Sequence, residues 1–331
     1  MSAQKKLAEL IGPKFEMWFK DATFTEGSVF LPSQFQAKWV EDNFTKELIE
    51  VFGTVPKIVV QAKKQKRQSA EVIQLPLWPE PARGTPNSFL RSALFAAIQG
   101  KTRKPLKNVL LGAQKGYSVK FTGWQLDQSD LDVWEHAVHL ARRHPLGNEC
   151  TFKANAFLKS IGRSNGKKDY VWLNDSITRL VACAVEIRCG SKVFVGSLLS
   201  SAPRDEETGV YRLRLDPDTI KLYGSADWTS LEWQQREALK GKPLALWLHG
   251  YYASHAQAYP VKVETLQELS GSRNPSKSSF KRQLQKAFVD LENVAGIKGT
   301  FDGDLVTVER APTPAQTKHL TDKTRRRKKK S

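Results

Sequence analysis

Two apolar stripes set 107 positions apart constrain this chain more than any other feature. Phe280, Leu284, Ala287, Phe288 and Leu291 fall at i, i+4, i+7, i+8 and i+11, the spacing of one helix face. Leu173, Ile177, Leu180, Val181 and Ala184 repeat it. A short helix ("AFLKSI", "TLQEL") and a polar turn ("GRSNGKK", "SGSRNPSK") precede each stripe. Strands follow each, and the second set closes as a hairpin turning at Asp302–Gly303. Helix, turn, helix, hairpin is the outline of a winged helix. The sequence therefore predicts two such units in tandem.

That geometry points to a partner. A winged helix lays its second helix in a major groove about 12 Å wide. The outer face of the second stripe's helix carries Ser278, Ser279, Arg282, Gln285 and Lys286. Arg forks onto guanine and Gln onto adenine, so Ser278, Lys281, Arg282 and Gln285 are expected at bases. Arg273, Lys277 and Lys286 are expected at phosphates, with Asn274 beside them in the turn. The first unit's outer face, Asp175, Thr178 and Arg179, is less basic. Its turn residues Arg163, Asn165, Lys167 and Lys168 are expected to anchor the backbone. The alternative for both is a solvated helix face. Net charge supports a polyanion: +18 overall, of which the tail Lys318–Ser331 supplies +7, leaving +11 on the body. The alternative reading of that charge is solubility.

The predicted class is α+β: tandem winged-helix domains after a small ααββαβ domain. Residues 1–61 form the small domain, whose long helix is expected to bury Phe35, Trp39, Phe44, Leu48 and Phe52. Residues 62–86 read as a linker, charged and then proline-rich. Residues 87–225 and 226–311 form the winged helices, "NSFLRSALFAAI" being a helix near the start of the first. Residues 312–331 form a basic, disordered tail.

Several chemistries are disfavoured. Cys150, Cys183 and Cys189 form no CxxC pair, and no secretory signal is read, so a reducing cytoplasmic location is expected. No apolar run reaches the length of a membrane span. "GRSNGKKD" lacks P-loop spacing and has Asp169 in place of the hydroxyl. No metal site or cofactor is implied, and no enzyme activity is expected. One rival is a nicking initiator using Tyr251 or Tyr252 with His249 and His255, but no His-x-His pair exists. The other is a winged-helix repressor or copy-control protein.

The segments "LPLWPEPARGTPNSFLRSALFAAIQGKTRK", "FTGWQLDQSDLDVWEHAVHLARRHPLGNEC", "RDEETGVYRLRL" and "KPLALWLHGYYASHAQAYP" resemble the TrfA family of plasmid replication initiators. The resemblance implies binding to direct repeats (iterons) at a plasmid origin, melting of an AT-rich region and a monomer–homodimer equilibrium. "QLPLW" resembles the motif by which bacterial proteins bind the replicative sliding clamp. It implies clamp contacts from Gln74, Leu75, Leu77 and Trp78, with Trp78 in place of the usual Phe. The alternative is that Trp78 packs on the first winged helix. The first sixty residues resemble the N-terminal domain of the chromosomal initiator DnaA. That implies recruitment of the replicative helicase, directly or through host DnaA, with Lys14 and Phe35 as candidate contacts. Lys14 departs from the acidic residue frequent there. The alternative is a generic dimerisation module.

Overall fold

The computed structural model describes residues 2–60, 75–100, 102–143, 147–314 and 316–321, with 224–226 as backbone alone. It is a mixed α+β structure in two compact units, Met1–Val72 and Ile73–Ser331.

The first unit runs α1 (Ala3–Ile11), α2 (Lys14–Phe19), β1 (Thr23–Thr25), β2 (Ser28–Leu31), α3 (Gln34–Phe52) and β3 (Lys57–Val60). This is the ααββαβ order read from the sequence. Strand β1 pairs antiparallel with β2, and β3 joins β2 in parallel. Ser33 caps α3, its hydroxyl accepting from the Gln36 N–H at 3.2 Å. Gly53 ends the helix at φ 75°, where a side chain would strain. Ala37, Val40, Phe44 and Leu48 are the stripe that α3 buries, against Leu7, Phe15, Phe19, Val29 and Leu31. Phe52 is partly buried against the same core. Phe35 and Trp39, expected inside, are 70% and 41% exposed. They lie i, i+4 on the face beside the stripe, with the Trp18 ring stacked 5.0 Å from Trp39.

The second unit continues with β4 (Ala82–Pro86), α4 (Asn87–Leu90), β5 (Phe95–Ala96), β6 (Pro105–Leu111), β7 (Tyr117–Trp124), β8 (Leu126–Asp127) and α5 (Gln128–Ala141). Then come β9 (Glu149–Lys153), α6 (Ala154–Ser160), α7 (Lys167–Val181), β10 (Ala184–Cys189), β11 (Lys192–Gly196), β12 (Leu199–Ser201), β13 (Arg204–Asp205), β14 (Val210–Leu215) and α8 (Pro217–Ile220). A 3-10 turn (Lys221–Ala226) leads to β15 (Trp228–Glu232) and α9 (Trp233–Ala238). Last are α10 (Pro243–Ala253), β16 (Val261–Lys262), α11 (Val263–Leu269), α12 (Lys277–Ala295), β17 (Lys298–Asp302) and β18 (Leu305–Glu309).

The same order appears twice: helix, short strand, helix, longer helix, returning strands. It is α5, β9, α6, α7 and β10–β14 in the first half, and α10, β16, α11, α12 and β17–β18 in the second. In each half the short strand pairs with the last strand, β9 with β14 and β16 with β18. All five residues of the second stripe are buried on α12. The first stripe holds through Val181, but Ala184 lies exposed on β10, because α7 stops before it. The hairpin turn is Gly303–Asp304, one residue later than expected, with Asp302 paired to Leu305.

Residues 75–86, predicted as linker, are not one. Strand β4 is wholly buried and pairs antiparallel with β15, Thr85 opposite Thr229. Residues 61–74 lie outside the described residues. The "NSFLRSALFAAI" helix also shrinks to α4, after which the chain turns into β5. An apolar run buried on all sides does not distinguish a helix from threaded chain. A first core spans Leu75 to Trp233, and a second joins Ala97 to Leu239–Val308. The cores therefore part after Trp233, later than residue 226.

A seam joins the halves. The Ala97 N–H donates to Ser270 O at 2.7 Å, and Trp247 Nε1 donates to Ser92 O at 3.1 Å. A Cβ on Gly112 would meet the Glu268 carbonyl at 2.5 Å, and one on Gly271 would meet Ala96 at 2.9 Å. Under the first half, Arg236 sits 2.6 Å from Asp132 and 3.1 Å from Glu135, which also accepts from Thr85 at 2.6 Å.

Three buried histidines, His136, His139 and His249, and the half-buried His255 make stability depend on pH. Burial pushes His136 and His249 down to about 3, and His139 and His255 to about 4. The unfolded chain protonates near pH 6.5, so it binds protons that the folded chain refuses. Their contribution is complete above about pH 6.5 and is lost as pH falls below it, by up to about 1.4 kcal/mol per pH unit for each histidine. Denaturant midpoints are expected to agree at pH 7 and 8 and to fall clearly at pH 5. Burial pushes the carboxyls of Asp130, Asp132 and Glu135 up, which acts in the opposite sense, so an unchanged midpoint at pH 5 would mean that the histidines do not outweigh them.

Candidate nucleic-acid interface

Helix α12 is set by its inner face. Ser276 caps it through the Ser279 N–H, and Gly296 closes it at φ 61°. Gly299 of β17 runs against the Phe288 ring, where a Cβ would sit 2.5 Å away. With that face fixed, Ser278, Arg282, Gln285 and Lys286 stand exposed on the other. Arg282, Gln285 and Lys286 make no hydrogen bond or ion pair among the described residues, so their donors are free for an incoming ligand. Ser278 shares a hydrogen bond with Ser276 at 2.8 Å.

The other expected residues of this region are engaged. Arg273, expected at a phosphate, donates from Nε to Gln125 Oε1 at 3.0 Å and from Nη1 to Thr102 O at 2.9 Å. It clasps the two halves together and is corrected to a structural role. Asn274 Nδ2 donates to Ser279 Oγ at 3.1 Å, and its carbonyl accepts from Gln267 at 2.7 Å. It shapes the turn. Lys277 and Lys281 both reach Asp304 at the hairpin tip, at 2.5 and 3.7 Å. Asp304 escaped sequence reasoning, since an acidic residue in a tight turn reads only as a turn former.

In the first half, Arg163 lies 3.3 Å over the Trp172 ring and 3.0 Å from Asp169. Its charge is already partnered. Asn165, Lys167 and Lys168 are exposed at the start of α7. Arg179 is turned inward, 2.7 Å from the buried Asp130, which also accepts from Ser176 at 2.7 Å.

The clamp motif is not a free peptide. Gln74 lies outside the described residues. Leu75 and Trp78 belong to the first core, while Leu77 is 77% exposed. Trp78 Nε1 donates to His139 Nδ1 at 3.1 Å, and its ring stacks 5.8 Å from Tyr223. A Cβ on Gly84 would strike that ring at 2.5 Å. Glu80 adds an ion pair to Arg142 at 2.6 Å. A clamp pocket needs Leu75 and Trp78 in solvent, so their expected role is corrected to packing.

Lys14 and Phe35 are both exposed in the first unit. Tyr251 and Tyr252, the rival nucleophiles, are buried, Tyr251 stacked 4.8 Å from Trp247. His249 is buried too, bonded to Gln235 at 2.9 Å. A nicking tyrosine must reach a phosphodiester, and these do not.

The chain is similar to several known proteins. The family model described as TrfA protein matches residues 43–310. The plasmid replication initiator protein TrfA of Escherichia coli is 27% identical over 261 residues, covering 75% of this chain and 68% of that protein. Among solved structures, domains 2 and 3 of RctB align with a TM-score of 0.48 at 14% identity, over 68% of this chain and 99% of that one. The Pi initiator protein, solved with iteron DNA, aligns with a TM-score of 0.40 at 13% identity, over 56% of this chain and 94% of that one.

Proposed function

This chain belongs to the TrfA family of plasmid replication initiators, and on that premise we propose that its two halves are winged helices that bind origin iterons. The observation that carries the reading is the outer face of α12, where Arg282, Gln285 and Lys286 stand unpaired among the described residues over a fully buried stripe. Arg282 and Gln285 reach base edges, Lys286 a phosphate, and Lys277 and Lys281 phosphates or bases near the hairpin. Asn165, Lys167 and Lys168 anchor the first half on the backbone, about one helical turn away. Binding leads to opening of an adjacent AT-rich region, and a monomer–homodimer equilibrium limits initiation.

The first unit recruits the replicative helicase, directly or through host DnaA. Its surface suits a protein better than DNA. Residues 1–60 carry seven lysines, no arginine and eight acidic residues, against +18 for the whole chain. Phe35 and Trp39 offer exposed aromatic surface of the kind enriched at interfaces.

The test is binding of the full chain to a direct-repeat origin fragment and to scrambled DNA across a salt series. Preference for the origin is expected at every salt concentration. Affinity should fall with a log–log slope near −0.9 for each phosphate neutralised. Equal affinity for both DNAs would sink the iteron reading.

A further inference from the structure

Asp304 is the second residue of the two-residue turn between β17 and β18. Its carboxylate lies 2.5 Å from Lys277 Nζ and 3.7 Å from Lys281 Nζ. These lysines stand i, i+4 on the first turns of α12, and Lys281 also donates to the Gly303 carbonyl. The pairing holds the Asp304 carboxyl below its ordinary range and raises Lys277. The fold does not depend on the pair. Gly303 supplies the turn's positive φ of 56°, and all three side chains are 30–50% exposed. An oxyanion between two ammonium groups beside the exposed Arg282 is chemically what a DNA phosphate would be.

Resting on the reading of α12 as the groove helix, we propose that Asp304 limits DNA affinity by standing in the phosphate position between Lys277 and Lys281. DNA that engages these lysines must displace the carboxylate or accept its repulsion. Either way the lysine pair delivers one net charge less to the backbone. An exposed pair of this kind is weak, so it restrains binding without blocking it. The restraint acts on the charge-driven part of binding, which is common to every sequence. It therefore lowers occupancy of all DNA and leaves discrimination to the base-reading side chains.

The experiment is Asp304→Asn in the full chain, titrated against origin and scrambled DNA over a salt series. Affinity for both DNAs is expected to rise about fivefold near 0.1 M salt, with the slope steeper by about one. In a Lys277→Ala/Lys281→Ala background the same substitution should change little, because its effect passes through those lysines. Unchanged or weaker binding by Asp304→Asn would overturn the proposal. So would a gain that persists without the lysines, since that marks a diffuse charge effect. The wild-type preference for origin DNA, read in the same titrations, tests the parent reading separately.

Discussion

Arg282→Ala is expected to remove most of the preference for origin DNA while leaving binding to scrambled DNA nearly unchanged. A bidentate Arg–guanine contact discriminates by about 1–3 kcal/mol, so the preference should drop about 5- to 150-fold. The fold should not suffer. Arg282 is exposed, unpaired among the described residues, and sits mid-helix, where alanine is at least as good a helix former. The salt slope separates the two roles an arginine can play. A base contact leaves it little changed, whereas a phosphate contact flattens it by about 0.9. Lys286→Ala supplies the contrast, with similar weakening on both DNAs and a flatter slope. Equal weakening by Arg282→Ala would make it a phosphate contact and move base reading elsewhere on α12.

Trp78→Ala should destabilise the Ile73–Ser331 unit by about 3–5 kcal/mol, the usual cost of truncating a buried large aromatic. The loss combines the stack on Tyr223 with the hydrogen bond to His139, and opens a hole beside Gly84. Leu77→Ala, one position away but exposed, should fall within about 0.5 kcal/mol of wild type. Denaturant unfolding of the full chain decides the matter. A Trp78→Ala protein with an unchanged midpoint would mean the segment is not docked in solution, and would restore the free clamp-binding peptide.

These two residues also mark how far the sequence could be read. Helix α12 was legible because its stripe spans twelve residues with the 3.6 period, and an outward-facing polar surface follows from whatever that stripe leaves outside. The order of the first unit was legible for the same reason. The docking of Trp78 was not. Strand β4 finds its partner β15 more than a hundred residues later, and nothing local announces a pairing so distant. Proline and charge around it imitate a linker. Phe35 and Trp39 misled in the opposite direction. Their hydrophobicity reads as core, while the small Ala37 and Val40 do the burying. Arg273 shows the limit for polar residues, because an arginine in a turn looks alike whether it meets a phosphate or Gln125.

The seam has a mechanical consequence. Gly112 and Gly271 bring backbone from the two halves into contact, and Arg273 closes over the junction. There is no tether whose length sets a local concentration. On the proposed reading the two halves, joined by this seam, would meet DNA together like the jaws of a caliper, with orientational entropy lost once for both. Such a caliper cannot swing to reach a contact face rotated by half a helical turn. Inserting five base pairs inside the target would force the DNA to twist or one jaw to let go, and inserting ten would restore the facing but stretch the gap beyond its span.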